Sequence, residues 1–214
     1  MHFFEKEISL GRKKVQMKRI ALTGGIACGK SMVARLLREK GVPVVDADQL
    51  ARDVVAPGTE GLAAVVAAFG PKMLDSTGAL DRAKMGSLVF TDAEKRKTLE
   101  QILHPRIAAA GVGAMNDLAA AGHNISVYEA ALIFENGLEQ AFDATLLVTT
   151  TQPLQVKRIT TRDGLTEEEA LQRIAAQMPL AQKEKRASHV LRNGGSLDEL
   201  KRALDAIWED ISTS

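Results

Sequence analysis

The sequence predicts an α/β fold in which helices cover both faces of one five-stranded parallel sheet. Three observations carry this: short apolar runs alternate with helix-period segments, five such runs can be counted, and a glycine-rich loop joins the first run to the first helix. The runs are Arg19 to Thr23, Val42 to Asp46, Ile125 to Glu129, Ala144 to Thr149 and His189 to Arg192. Between the first two, Ser31 to Lys40 places Val33, Leu36 and Leu37 on one helical face and stops at Gly41.

Residues 59–122 interrupt the alternation. Thr59 to Phe69, Asp81 to Phe90 and Thr91 to Ala121 read as helices with no strand between them, which predicts an inserted helical lobe. Thr91 and Glu94 have capping-box spacing, and His104-Pro105 predicts a bend or division of the last helix, because proline disfavours helical conformation in its predecessor. A second helical excursion, Gln152 to Arg186, carries Lys157, Arg158, Arg162 and Arg173 and contains another capping box, Thr166 with Glu169. Ser196 to Ile211 closes the chain as an amphipathic helix, capped by Ser196 and Glu199, with Leu197, Leu200, Leu204 and Ile207 as its buried stripe.

A chain of 214 residues suits one α/β domain with an inserted lobe. Lys and Arg total 28 against 27 Asp and Glu, so no global field favours nucleic acid or an acidic membrane, and neither partner is expected. The single cysteine, Cys28, excludes an internal disulfide and a Cys-based zinc site and fits a reducing, cytoplasmic compartment. No run approaches the roughly 20 apolar residues of a membrane helix, and no signal peptide is evident. Residues 1–16 are expected to be a flexible extension with a solvated Arg12, Lys13, Lys14 cluster, and Met17 opens the folded part. A monomer or a small homo-oligomer is compatible with all of this.

Gly24-x4-Gly29-Lys30-Ser31, reading GGIACGKS, satisfies the P-loop pattern in its proper context of a preceding strand and a following helix. The two glycines allow close approach, so backbone N–H groups along Gly25, Ile26, Ala27, Cys28, Gly29, Lys30, Ser31 and Met32 can meet phosphate oxygens at a helix N-terminus. Lys30 supplies charge for the β- and γ-phosphates, and the Ser31 hydroxyl is a ligand for magnesium. A dinucleotide loop would need glycine where Ile26 stands. A guanine-nucleotide switch would need an Asn-Lys-x-Asp element, which is missing, and Asp75 to Gly78 reads as a plain turn. Cys28 has two readings: a thiolate activated by the helix terminus and Lys30, or a small residue facing the loop interior.

Asp46-Ala47-Asp48 stands at the end of the second run, expected beside the first strand and therefore beside the cradle. If the strand continues that far, both carboxylates point the same way and one can take a proton from an acceptor hydroxyl; alternatively the pair caps a helix over Gln49 to Val55. Lys157, Arg158 and Arg162 suit a lid closing over the triphosphate.

The ordered strings GGIACGKS, GVPVVDADQLARDVVAPG, LDRAKMGSLVF, HPRI, ALIFE, RDGLTEEEA and RIAAQMP resemble the dephospho-CoA kinase family over nearly all of Met17 to Ile211. The resemblance implies a P-loop NTPase fold of nucleoside-kinase-like type, with a core of residues 17–58, 123–151 and 187–214, a CoA-binding lobe at 59–122 and a lid at 152–186. It implies ATP and dephospho-CoA as substrates, Mg2+ with the ATP, and phosphorylation of the ribose 3′-hydroxyl. Asp48 becomes the base, with Lys30 and Arg162 in catalysis. Asp46 and Arg52 hold the acceptor and metal region, His104, Pro105 and Arg106 belong to the CoA-binding lobe, and Asn193 lies by the adenine. The chain departs from the family at Ala27, Cys28, Met32 and Arg192, and Ala27 loses glycine's freedom at positive φ. His104 reads either as a buried histidine at a helix bend or as a substrate contact. Glu129 and Glu135 either order magnesium or the acceptor through water or are a strand-end acid and a helix charge. Another P-loop small-molecule or nucleoside monophosphate kinase, or a nonenzymatic nucleotide-dependent switch, remains as an alternative.

Overall fold

The computed structural model describes residues 17–213, so the Arg12, Lys13, Lys14 cluster lies outside the described residues. Five strands, β1 (Lys18–Gly24), β2 (Val44–Asp46), β3 (Ile125–Glu129), β4 (Ala144–Thr149) and β5 (His189–Arg192), form an all-parallel sheet in the order β2-β3-β1-β4-β5. Strands buried on both faces need continuous apolar runs, and every residue of β4 is buried. On one face Ile20, Leu22, Val127, Leu146 and Val148 pack against α1 (Lys30–Glu39) and the closing helix α9 (Leu197–Thr213), through Val33, Leu37, Leu200, Leu204 and Ile211.

The strand order corrects one expectation. β2 was expected to border β1, but β3 lies between them, with Leu22 paired to Glu129 and Glu129 to Asp46. The helices inserted after β2 carry the chain far enough that the returning strand takes the inner position, so Glu129 rather than Asp46 borders the first strand. β2 also ends at Asp46, and Asp48 belongs to the next helix, α2 (Ala47–Asp53), so strand alternation does not set its direction.

Between β2 and β3 follow α3 (Glu60–Phe69), α4 (Arg82–Thr91) and α5 (Ala93–Ala120). They close a second apolar cluster, in which Val55, Leu62, Val65, Met73 and Met85 are buried beneath Leu99, Ile102 and Leu103. Thr91 is not a cap: its hydroxyl donates back to the Ser87 and Leu88 carbonyls, and Asp92 caps α5 by accepting the Lys95 N–H at 3.0 Å. Nor does His104-Pro105 divide α5, which runs through it; both residues are exposed, and Arg106 Nη1 donates to the Ile102 carbonyl at 2.8 Å. Helices α6 (Gln152–Asp163), α7 (Glu167–Ala175) and α8 (Leu180–Arg186) join β4 to β5, and α7 opens with the reciprocal Thr166–Glu169 box. Ser196 and Glu199 likewise exchange hydrogen bonds at the start of α9. Leu200 and Leu204 are buried as expected and Ile207 packs half-buried on the core, joined by Ile211, while Leu197 in the first turn is 42% exposed.

Gly61 sits where α3 passes the end of α2: a Cβ there would fall on the Val54 carbonyl oxygen and meet Arg106 Cδ at 3.3 Å. Gly61→Ala is therefore expected to cost about 1–3 kcal/mol of stability, several degrees in Tm by calorimetry. An unchanged Tm would show that this corner has room.

Candidate functional site

The loop between β1 and α1 is shaped by close approach. A Cβ on Gly24 would come within 2.8 Å of the Val148 carbonyl oxygen, and Gly29 enters α1 at φ 94°, in the left-handed region. Ala27 stands at φ 57°, the single non-glycine at positive φ among the described residues, which matches the constraint expected of that departure. Its carbonyl accepts from Arg158 Nη1 at 3.1 Å.

Lys30 reaches Glu129 at the end of β3, Nζ to Oε1 at 3.0 Å, and Arg38 Nη2 approaches the other oxygen at 3.5 Å. Glu129 is 2% exposed, so two cations compensate a carboxylate taken out of water. This cleft-side role comes with the strand order that sequence reasoning missed.

A cleft of about 850 Å³ opens over the loop. Of the residues predicted from sequence, it brings together Gly25, Ile26, Ala27, Gly29, Lys30, Ser31, Asp48 and the lid cations Lys157, Arg158 and Arg162, and it adds Thr161 and Gln177. Asp48 is exposed at its mouth. Asp46 faces elsewhere in function: its Oδ1 accepts the N–H groups of Asp48 at 2.8 Å and Gln49 at 3.2 Å, capping α2. Tyr128 lies near both acids; its phenol is pushed up by burial first and then by the negative charges of Asp48 and Asp46.

Arg162 makes a two-point contact with Asp163, at 2.7 and 2.9 Å, and Arg173 adds a third bond at 3.3 Å. That pairing raises the Arg162 guanidinium and lowers the Asp163 carboxyl.

Several predicted residues lie outside the cleft. Asn193 is braced beneath the loop: its Nδ2 donates to the Cys28 carbonyl at 2.8 Å, and its own carbonyl accepts from Thr150 Oγ1 at 2.8 Å and Arg158 Nη2 at 3.0 Å. Arg192 beside it is exposed and pairs with Glu184 at 3.5 Å. Met32 packs on the main core. Arg52 is exposed and bonds Gln49 at 3.3 Å; Arg106 is spent on Ile102; His104 is exposed, which overturns its reading as a buried histidine.

Cys28 is fully buried, and burial pushes its thiol up against the weaker opposing pull of backbone hydrogen bonds at Gly25 and Thr150 and of the Arg158 and Lys183 charges. The activated thiolate is thus corrected to a small residue facing the loop interior. Sequence reasoning gave neither glutamine a role, although Gln177 stands in the RIAAQMP string, because an uncharged amide in a helical pattern looks like any solvated polar residue; yet Gln155 and Gln177 both bond the loop.

The family model that matches this chain, over residues 18–199, is that of dephospho-CoA kinase. The chain belongs to the dephospho-CoA kinase family. It is 46% identical over 195 residues to dephospho-CoA kinase of Geobacillus kaustophilus, covering 90% of this chain and 97% of that protein. Against dephospho-CoA kinase of Geobacter sulfurreducens the identity is 45% over 192 residues, covering 90% and 98%. Among solved structures it is similar to TT1252 from Thermus thermophilus, with TM-score 0.77, 38% identity and coverage of 91% and 98%. Shikimate kinase from Bacteroides thetaiotaomicron, at 15% identity and TM-score 0.51 over 92% and 99%, shares the P-loop kinase fold alone.

The raised thiol has a consequence for stability. The folded chain keeps the Cys28 proton where the unfolded chain has released it, so this contribution is intact below the ordinary value of 9.0 and is lost as pH rises beyond it. Denaturant titrations should show stability falling above pH about 9, with Tyr128 adding in the same direction at higher pH, and Cys28→Ala should flatten the first part of that fall. A thiol reagent should leave Cys28 unmodified in the native protein; rapid labelling would contradict the buried assignment.

Proposed function

We propose that this chain transfers the γ-phosphoryl group of ATP to the ribose 3′-hydroxyl of dephospho-CoA, giving CoA and ADP in the last step of CoA synthesis. The observation that carries the reading is the shared cleft, in which Lys30 and Ser31 of the cradle, Asp48 of α2 and Arg162 of α6 line one cavity. Membership of the dephospho-CoA kinase family supports the choice of acceptor.

In this reading the cradle N–H groups and Lys30 hold the β- and γ-phosphates, and Glu129 keeps the Lys30 ammonium at the strand end. The Asp48 carboxylate takes the proton of the acceptor hydroxyl as that oxygen meets phosphorus, while the β-phosphate leaves with the bond electrons. Asp46 acts through Asp48, whose N–H it holds, rather than on the acceptor itself. Helices α6 to α8 act as the lid, and Arg162 exchanges Asp163 for the transferring phosphate as it closes. Arg52 and His104, exposed on α2 and α5, are assigned to the acceptor side, and Arg106 joins them by giving up the Ile102 carbonyl.

The site fits magnesium. Ser31 and Asp48, a hydroxyl and a carboxylate, both line the cleft, and hard oxygen donors of this kind suit the ion. Ser31 would hold it, with phosphate oxygens and water completing its shell. When bound, it neutralises charge on the β- and γ-oxygens. Among the described residues no helix is long and apolar enough to cross a membrane. We place the enzyme in the cytoplasm, as a monomer or small homo-oligomer with no nucleic-acid partner.

ATP consumption should be measured with dephospho-CoA, nucleoside monophosphates and shikimate as acceptors. Turnover with dephospho-CoA is expected; turnover only with one of the others would overturn the acceptor assignment, and nucleotide binding without any transfer would point to a switch. Asp48→Asn should lower kcat on the order of 10²-fold or more and leave ATP affinity within a few-fold. Full activity in that variant would remove Asp48 from the mechanism.

A further inference from the structure

Both main-chain groups of Ile26 are held by glutamines from outside the cradle. Gln155 of α6 donates its Nε2 to the Ile26 carbonyl at 2.8 Å, and Gln177, just after α7, accepts the Ile26 N–H on Oε1 at 2.8 Å. Gln155 is 2% exposed and lies behind the loop, where a Cβ on Gly25 would meet its Nε2 and Leu180 Cδ2, each at 3.0 Å. It therefore has no route to a substrate. The segment that carries Gln177 is itself anchored, because Glu135 Oε1 accepts the Met178 N–H at 3.2 Å and pairs at 2.7 Å with Lys183, a fully buried cation.

A trans peptide is planar, with its C=O and N–H on opposite sides. Whatever fixes the Ile26 carbonyl therefore also fixes the direction of the Ala27 N–H. Gln155 draws that carbonyl away from the cleft, which turns the Ala27 N–H toward it, while Ala27 keeps its strained left-handed conformation. Gln177 occupies the preceding N–H and withholds it from any bound phosphate.

We propose that Gln155 and Gln177 are positioning residues of the cradle: together they set the orientation of the Ile26–Ala27 peptide, so that the Ala27 N–H is aimed to donate a hydrogen bond to a phosphate oxygen without help from the ligand. This rests on reading the cradle as the phosphate site. Because both glutamines come from the segment between β4 and β5, the donor geometry of the loop is tied to the placement of α6 to α8.

The test compares Gln155→Met, which keeps the volume and removes the donor, with Gln177→Ala, using the full chain, ATP and dephospho-CoA. Each is expected to lower kcat on the order of tenfold or more in protein that remains folded by circular dichroism at the assay temperature, and to weaken ATP affinity less than it lowers kcat. A purely structural role would lower Tm and leave kcat per folded molecule unchanged. In Gln177→Ala, amide exchange at Ile26 should quicken on the order of tenfold or more. If Gln155→Met does not fold, Gln177→Ala decides through both readouts. Rates within twofold of the parent in the folded variants would overturn the proposal. Lys30→Ala, run alongside, separates the two levels of inference: its expected loss is on the order of 10²-fold, and full activity there would overturn the cradle reading itself.

Discussion

A loop that offers N–H groups to a phosphate must leave them unpaired with its own backbone, so something else has to hold its shape. That constraint organises this protein. The cradle makes little backbone bonding of its own: the Cys28 N–H reaches the Gly25 carbonyl, and the Met32 N–H, already in α1, reaches that of Gly29. The remaining support arrives from distant chain: Gln155 and Gln177 on Ile26, Arg158 on Ala27, Asn193 on Cys28 and Glu129 on the Lys30 ammonium. The sheet brings these groups to one place, since β1, β3 and β4 end side by side and their parallel direction collects every following loop at the same edge.

The electrostatics follow the same plan. Glu129 is buried between Lys30 and Arg38, so the lysine stays near the cleft instead of extending into solvent, and its charge is balanced before a polyanion arrives. Arg162, by contrast, sits on the exposed Asp163, a contact of modest strength that a triphosphate can replace. One cation is held in readiness by burial and the other by a surface pair that is easily exchanged.

Most of the framework was legible in the sequence because it is local. The five apolar runs, the glycine loop, and the Thr166–Glu169 and Ser196–Glu199 boxes each depend on residues within a few positions of one another. Cleft residues Lys30, Ser31, Asp48 and Arg162 were legible because their chemistry is tied to charge or to a spaced motif. What escaped was set by long-range contact. Strand order depends on how far the inserted helices carry the chain, so β3 took the place expected for β2. Two local choices needed the side chains as well: Asp46 takes the α2 N-terminus, one of its two sequence readings, and Asp92 rather than Thr91 caps α5. The bond from Asn193 to the Cys28 carbonyl, under the loop, is likewise a long-range contact that no local pattern announces.

The bond from Asn193 to Cys28 joins residues 165 positions apart, yet it closes the floor of a loop that lies near the beginning of the chain. Synthesis reaches the cradle early and its support very late. A growing chain that has passed the P-loop but not β5 carries the glycines, the lysine and the serine without the amide that braces them. Closure of the cradle's floor is thereby tied to completion of the polypeptide: a chain that stops before Asn193 holds the motif without the amide that braces it.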